Sequence, residues 1–226
     1  MKEQLNYILF GLYPYIALVV FVVGSIARFK YSQYTWRSSS SQLLRNKGMR
    51  IGNNLFHIGI ILLFFGHFIG MLTPESIYHI FISSAQKQLL AMIAGGIFGI
   101  ITFIGMTMLV YRRLFDDRIR ANSSFSDIAI LLLLYVQLIL GLFTIVSSTQ
   151  HLDGHNMVML ANWAQHIVTF RPGAEQFLID QALIFKAHIF LGLTIFFVFP
   201  FTRLVHVFSA PLGYILRPGY QVVRKA

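Results

Sequence analysis

Five apolar runs, each about twenty residues long, constrain this chain more than any other feature. They cover approximately residues 8–27, 51–72, 89–110, 128–146 and 183–207. An α-helix needs about 20 apolar residues to cross a hydrocarbon core of about 30 Å. In lipid the backbone must satisfy its own polar groups, and a helix does so. The expected fold is therefore all-α, with five transmembrane helices in a single integral-membrane domain over residues 1–226. Composition agrees, since only 12% of the residues are charged where a soluble domain carries about a quarter.

The net charge of +10 belongs to the loops and not to a basic patch of the nucleic-acid-binding kind. Fourteen of the 18 Lys and Arg residues fall in three places: 28–50 (Arg28, Lys30, Arg37, Arg45, Lys47, Arg50), 112–120 (Arg112, Arg113, Arg118, Arg120) and the C-terminal region (Arg203, Arg217, Arg224, Lys225). The opposite side holds Lys2, Lys87, Arg171 and Lys186. The positive-inside rule then places the N-terminus outside, on the periplasmic side, and the C-terminus in the cytoplasm. Arg28 and Lys30 directly follow the first run, which suits a retained helix better than a cleaved signal. The segment 147–182 is too polar to span and reads as a short amphipathic piece on the outer face. No internal repeat, phosphate-binding motif or dinucleotide loop is present, and an odd span count argues against a duplicated transporter. The absence of cysteine excludes disulfides, thiolate-ligated Fe–S clusters and covalently attached c-type haem on this chain.

Four of the eight histidines lie within spans. His57 and His67 are ten residues apart, about 15 Å along a helix, and within about 80° of one face. His188 and His206 are eighteen apart, which returns them to one face. The second and fifth spans run in opposite directions, so the depth-matched pairs are His57 with His206, nearer the cytoplasm, and His67 with His188, nearer the outside. The match is imperfect, because eighteen residues rise about 27 Å. Tilt, inclination of a bound macrocycle or a kink at Pro200 would have to absorb the difference.

Intramembrane ionisable groups are costly unless they have a function or a partner. Two facing imidazole pairs suit two haems, each ligated axially from both faces. Gly59, Gly66, Gly70 and Gly192 would let a flat macrocycle approach the backbone. The alternative is that these histidines bond between helices and the glycines merely pack. A tetrahedral zinc site is disfavoured, because the span interiors offer no Cys, Asp or Glu. His79, His151, His155 and His166 read as loop residues, and Asp127 as a helix-start residue. Lys87 opens the third span at about the depth of His67; it either snorkels to the interface or donates a hydrogen bond to a quinol oxygen.

The motifs YPYIA (13–17), QYTWR (33–37), SSQLL (40–44), NLFHIGI (54–60), GHFIGMLTP (66–74), RRLF (112–115), QHLDG (150–154) and FPFTRLVH (199–206) closely resemble the gamma subunit, the di-haem cytochrome b, of bacterial respiratory nitrate reductase. The resemblance runs over nearly the whole chain. It implies two b haems, with His57 and His206 on the inner iron and His67 and His188 on the outer. It further implies a quinol site (menaquinol or ubiquinol) lined by Lys87, Gly66, Gly70 and His67. Quinol would be oxidised near the periplasmic face and its protons released outside. Electrons would pass to an Fe–S subunit and a molybdenum catalytic subunit in the cytoplasm. The chain would then sit in the bacterial inner membrane as the quinol-oxidising subunit of a nitrate reductase, with the nitrate chemistry elsewhere. Two rivals stay open: a di-haem quinol subunit of another reductase, and a haem-free membrane anchor or permease.

Overall fold

The computed structural model describes residues 2–37, 44 and 48–209. Among these every regular element is helical, and five helices are long and apolar enough to cross a membrane. Arg45, Lys47, Arg217, Arg224, Lys225 and most of the SSQLL motif lie outside the described residues.

The first span contains a π-helical stretch, Tyr7–Leu12, and continues as α1 (Tyr13–Tyr31). It is followed by α2 (Met49–Leu72), α3 (Ser84–Phe115), α4 (Phe125–Ser148), α5 (His155–Val168) and α6 (Leu183–Val198). Reciprocal capping boxes start α3 (Ser83 with Gln86) and α4 (Ser124 with Asp127), each satisfying backbone donors that a helix start leaves free. Asp127 is thus a helix-start residue, as its position suggested. α3 is longer than the apolar run at 89–110, because the helix continues past the hydrocarbon-length core into its polar ends, Ser84–Lys87 and Tyr111–Phe115.

The fifth span departs from the expectation of one helix to residue 207. Its α-helix stops at Val198, and the chain proceeds through two 3₁₀ stretches, Phe199–Phe201 and Arg203–Ser209, with Thr202 extended between them. Pro200 is the physical reason: it lacks an N–H, and its ring excludes the carbonyl four residues back. Only ten residues of α-helix therefore follow His188, a rise of about 15 Å and equal to the His57–His67 separation. The eighteen residues from His188 to His206 are therefore not one run of α-helix, and His206 lies eight residues beyond its end.

In packing, α2 lies along α3, α3 against α4, α4 against α6 and α6 against α1. The α2–α3 crossing is close because it is built on glycine. A Cβ on Gly59 would collide with Thr102 and sit 2.9 Å from the Phe98 carbonyl, and one on Gly105 would meet the Phe56 backbone nitrogen. α2, which carries His57 and His67, and α6, which carries His188, are not a closely packed pair. The segment 147–182 does contain an amphipathic helix, α5. Its Trp163 is buried against Phe10, Ala17, Leu178 and Leu193 and donates its indole N–H to the Phe10 carbonyl at 3.0 Å. Much of the remaining apolar surface is exposed, including Ile61, Phe64, Phe65, Phe68 and Ile69 of α2, as a lipid-facing helix requires.

Candidate functional site

His67 of α2 and His188 of α6 face each other, with ring centroids 6.2 Å apart and planes tilted by 39°. Two imidazoles on opposite sides of one metal, each bonded at about 2.0–2.1 Å and with about 1.1 Å from nitrogen to ring centre, would stand about 6.3 Å apart. The observed separation fits one ion between them. At the other end of the bundle His57 and His206 are near enough for one charge to influence the other, while among the described residues a ring-to-ring contact is seen for the outer pair alone. Among the described residues no three His, Asp or Glu side chains converge as a metal site; the available ligand sets are pairs.

The ring nitrogens are arranged consistently with this. His57 Nδ1 donates to the Asn53 carbonyl at 2.8 Å, His67 Nδ1 to Leu63 at 2.8 Å and His206 Nδ1 to Arg203 at 2.5 Å. A backbone carbonyl only accepts, so the proton is fixed on Nδ1 and Nε2 keeps its lone pair for a ligand. His166, packed on Phe177, makes the same bond to Asn162, so the pattern permits ligation without requiring it. His188 differs. Its Nδ1 is buried with no partner, while Gln137 of α4 approaches Nε2 at 3.5 Å and donates to the His188 carbonyl at 3.1 Å. The ring lies on Gly141, where a Cβ would sit 3.0 Å from its Cε1. The His188 ring is thus buried with one nitrogen unpartnered and has a second imidazole, His67, beside it.

Gln137 and Gly141 were not singled out in the sequence, although a lone amide in the apolar run 128–146 was an available signal. The glycines divide. Gly59 packs against Thr102 and Gly192 against Gln137, so both are helix-contact residues and not cradles for a macrocycle. Gly70 faces Met157, and the space beside Gly66, next to His67, is open.

Lys87 does not snorkel. It is only 7% exposed, its ammonium lies 3.7 Å from the centre of the Tyr78 ring, and its one described hydrogen bond is a long one, 3.4 Å, to the Thr73 carbonyl. Gln165 of α5 shares that carbonyl and also holds Met71. An ammonium has three donors, so Lys87 is buried with donor capacity to spare. Tyr78 is fixed in turn by a 2.9 Å bond between its hydroxyl and Ser84 Oγ, which also meets His79 Nε2 at 2.9 Å. Burial is the main influence raising the Tyr78 phenol above its usual pKa, with Glu75 adding to it and the Ser84 bond opposing it. His79 further pairs with Glu75 at 3.7 Å.

Residues 6–226 match the family described as nitrate reductase gamma subunit. The chain belongs to that family. It is 52% identical over 224 residues to the respiratory nitrate reductase 2 gamma chain of Escherichia coli K12, covering 99% of both chains. It is 51% identical to the respiratory nitrate reductase 1 gamma chain of the same organism, over 98% of both. The nitrate reductase gamma chain of Bacillus subtilis 168 is 41% identical, with 96% of this chain and 97% of the relative aligned. Within this gamma-subunit chain two of the motifs that carried the resemblance meet in space: QYTWR and FPFTRLVH are joined by Arg28, which donates to Thr35 of the first and to the Pro200 and Thr202 carbonyls of the second.

Proposed function

We propose that this chain is the membrane cytochrome b subunit of a respiratory nitrate reductase, seated in the bacterial inner membrane with its N-terminus outside and its C-terminus in the cytoplasm. The observation that carries the reading is the His67–His188 pair at 6.2 Å, in a chain whose full-length relatives are nitrate reductase gamma chains. His67 and His188 would hold the outer haem, and His57 and His206 the inner one. Bound there, two b haems supply one-electron redox chemistry at two depths of the membrane.

The chain's own residues do the rest. Lys87, buried and short of acceptors, donates a hydrogen bond to a quinol oxygen; Gly66 keeps the approach beside His67 free of side chains, and Gly70, with Met157 beside it, lines the same pocket. Oxidation of a menaquinol or ubiquinol here yields two electrons and two protons. The protons leave on the outer side and the electrons move inward, so the reaction separates charge across the membrane. The chain has no cysteine, so the Fe–S clusters that receive the electrons belong to a partner subunit on the cytoplasmic side, and the molybdenum centre that reduces nitrate to another. The excess of basic residues at the His57 end supports that orientation.

A reduced-minus-oxidised spectrum with a pyridine haemochrome count tests the reading. Two b haems per polypeptide, reducible by a quinol analogue, are expected. His67→Ala or His188→Ala should remove one haem together with quinol oxidation. His206→Ala should remove the other haem and stop electron delivery while quinol still binds. Unchanged haem content in any of the three would refute the ligand assignment.

A further inference from the structure

Three of the four intramembrane histidines sit on regular helix, and His206 does not. It lies in the 3₁₀ stretch Arg203–Ser209, beyond the point where Pro200 ends α6. A chain leaving a helix this way has carbonyls without helical partners and no intrinsic reason to hold one direction. In this protein the bend itself is held from α1, while Asp127 at the start of α4 pairs with Arg203 at 3.8 Å.

Arg28, in the last turn of α1, makes four hydrogen bonds. Nη1 donates to the Pro200 carbonyl at 2.6 Å and to the Thr202 carbonyl at 2.7 Å, on either side of the bend. Nη2 donates to the Thr35 carbonyl at 2.8 Å and Nε to Thr35 Oγ1 at 3.1 Å. One turn earlier, Gly24 lets the proline close in: a Cβ there would lie 2.9 Å from Pro200 Cβ and Cγ. The far end of the segment is held from the same loop, where Trp36 Nε1 donates to Ser209 Oγ at 2.6 Å and the indole stacks on Phe208. The stretch bearing His206 is thus pinned at both ends by residues 28–36.

We propose that Arg28 is a positioning residue for the inner haem, acting through the Pro200–Thr202 bend to aim His206 at His57. The inference rests on the reading that His57 and His206 ligate that haem. Only a planar, multi-donor guanidinium spans both carbonyls and Thr35 together; a lysine ammonium has the charge without the fork. His188 sits inside α6 and needs no such brace, so the effect falls on one of the two haems.

The test is Arg28→Gln and Arg28→Lys in membranes containing the assembled complex, read by haem count, redox titration followed optically, and the spin state of each haem. Arg28→Gln is expected to lose the inner haem or convert it from low to high spin, while the outer haem keeps its content and potential. Arg28→Lys should fall between this and the parent. The outer haem reports on folding in the same molecule: equal damage to both haems would overturn the proposal in favour of a general structural role. Two unaltered haems in Arg28→Gln would overturn it as well. If His206→Ala also retains both haems, the ligand assignment itself has failed, an outcome distinct from failure of the brace.

Discussion

Replacing Tyr78 by leucine and by phenylalanine separates what its ring does from what its hydroxyl does. The Lys87 ammonium lies 3.7 Å from the ring centre and only 7% of the residue is exposed, so the contact is a desolvated cation–π interaction worth about 2 kcal/mol. The other described anchor is a single 3.4 Å bond to Thr73. Losing the ring lets the ammonium leave its present orientation. If quinol binds only the present orientation, the apparent affinity falls with that population. A loss of about 2 kcal/mol corresponds to about 30-fold, the upper bound for the rise in KM of Tyr78→Leu. Tyr78→Phe keeps the ring and loses the 2.9 Å bond to Ser84, a net effect of about 1 kcal/mol on ring placement, or at most about fivefold in KM. The assay is steady-state oxidation of a soluble quinol analogue at matched haem content. Equal KM values for the phenylalanine and leucine variants would refute the reasoning, as would a leucine variant with the parent's KM.

The α2–α3 crossing should be intolerant of bulk. Gly59→Ala places a methyl against Thr102 and the Phe98 carbonyl, and overpacking of this kind costs about 1–3 kcal/mol; a lowered midpoint for thermal loss of haem absorbance in detergent would register it, and an unchanged midpoint would count against so close a crossing. Gly141→Ala puts its Cβ 3.0 Å from His188 Cε1, so the imidazole must shift by a few tenths of an ångström. Redox titration should show a moved potential for the outer haem alone. For pH, burial raises the Tyr78 phenol above its ordinary value, so the hydroxyl stays protonated below about pH 10. Tyr78→Phe should therefore leave both limbs of the activity profile in place between about pH 6 and 9, and a displaced limb would show that the phenol titrates in that range.

Much of the architecture was legible because lipid leaves few choices. The run 51–72 reappears as α2 with its start two residues earlier and its end unchanged, and 128–146 as α4 with three residues added at the start and two at the end. The error in the fifth span has a definite cause. FPFTRLVH keeps Phe199, Phe201, Leu204 and Val205 among its polar residues, so hydropathy does not mark the end sharply, and a proline can kink a helix or terminate one. Termination prevails here because Arg28, 172 residues away in sequence from Pro200, supplies donors to the released carbonyls. The glycines illustrate a second limit. Gly59 and Gly66 lie seven residues apart, yet one is filled by Thr102 and the other opens on space; smallness in a sequence does not say what approaches it. Lys87 was ambiguous for a related reason, since nothing local to the third span announces that Tyr78 covers it.

The helices that set the distance between His67 and His188 carry neither of them. α2 is seated on α3 at Gly59 and Gly105, α3 meets α4 where a Cβ on Gly99 would sit 2.7 Å from Leu142, and α4 meets α6 at Gly141 and at Gly192 against Gln137. The arrangement works as a caliper, in which α3 and α4 form the frame and α2 and α6 the jaws. Its opening is calibrated by the thickness of successive helix contacts, so a single methyl added in the frame is transmitted to the gap at the tips. Mutational scans that look only at the jaws would miss the positions that hold the calibration.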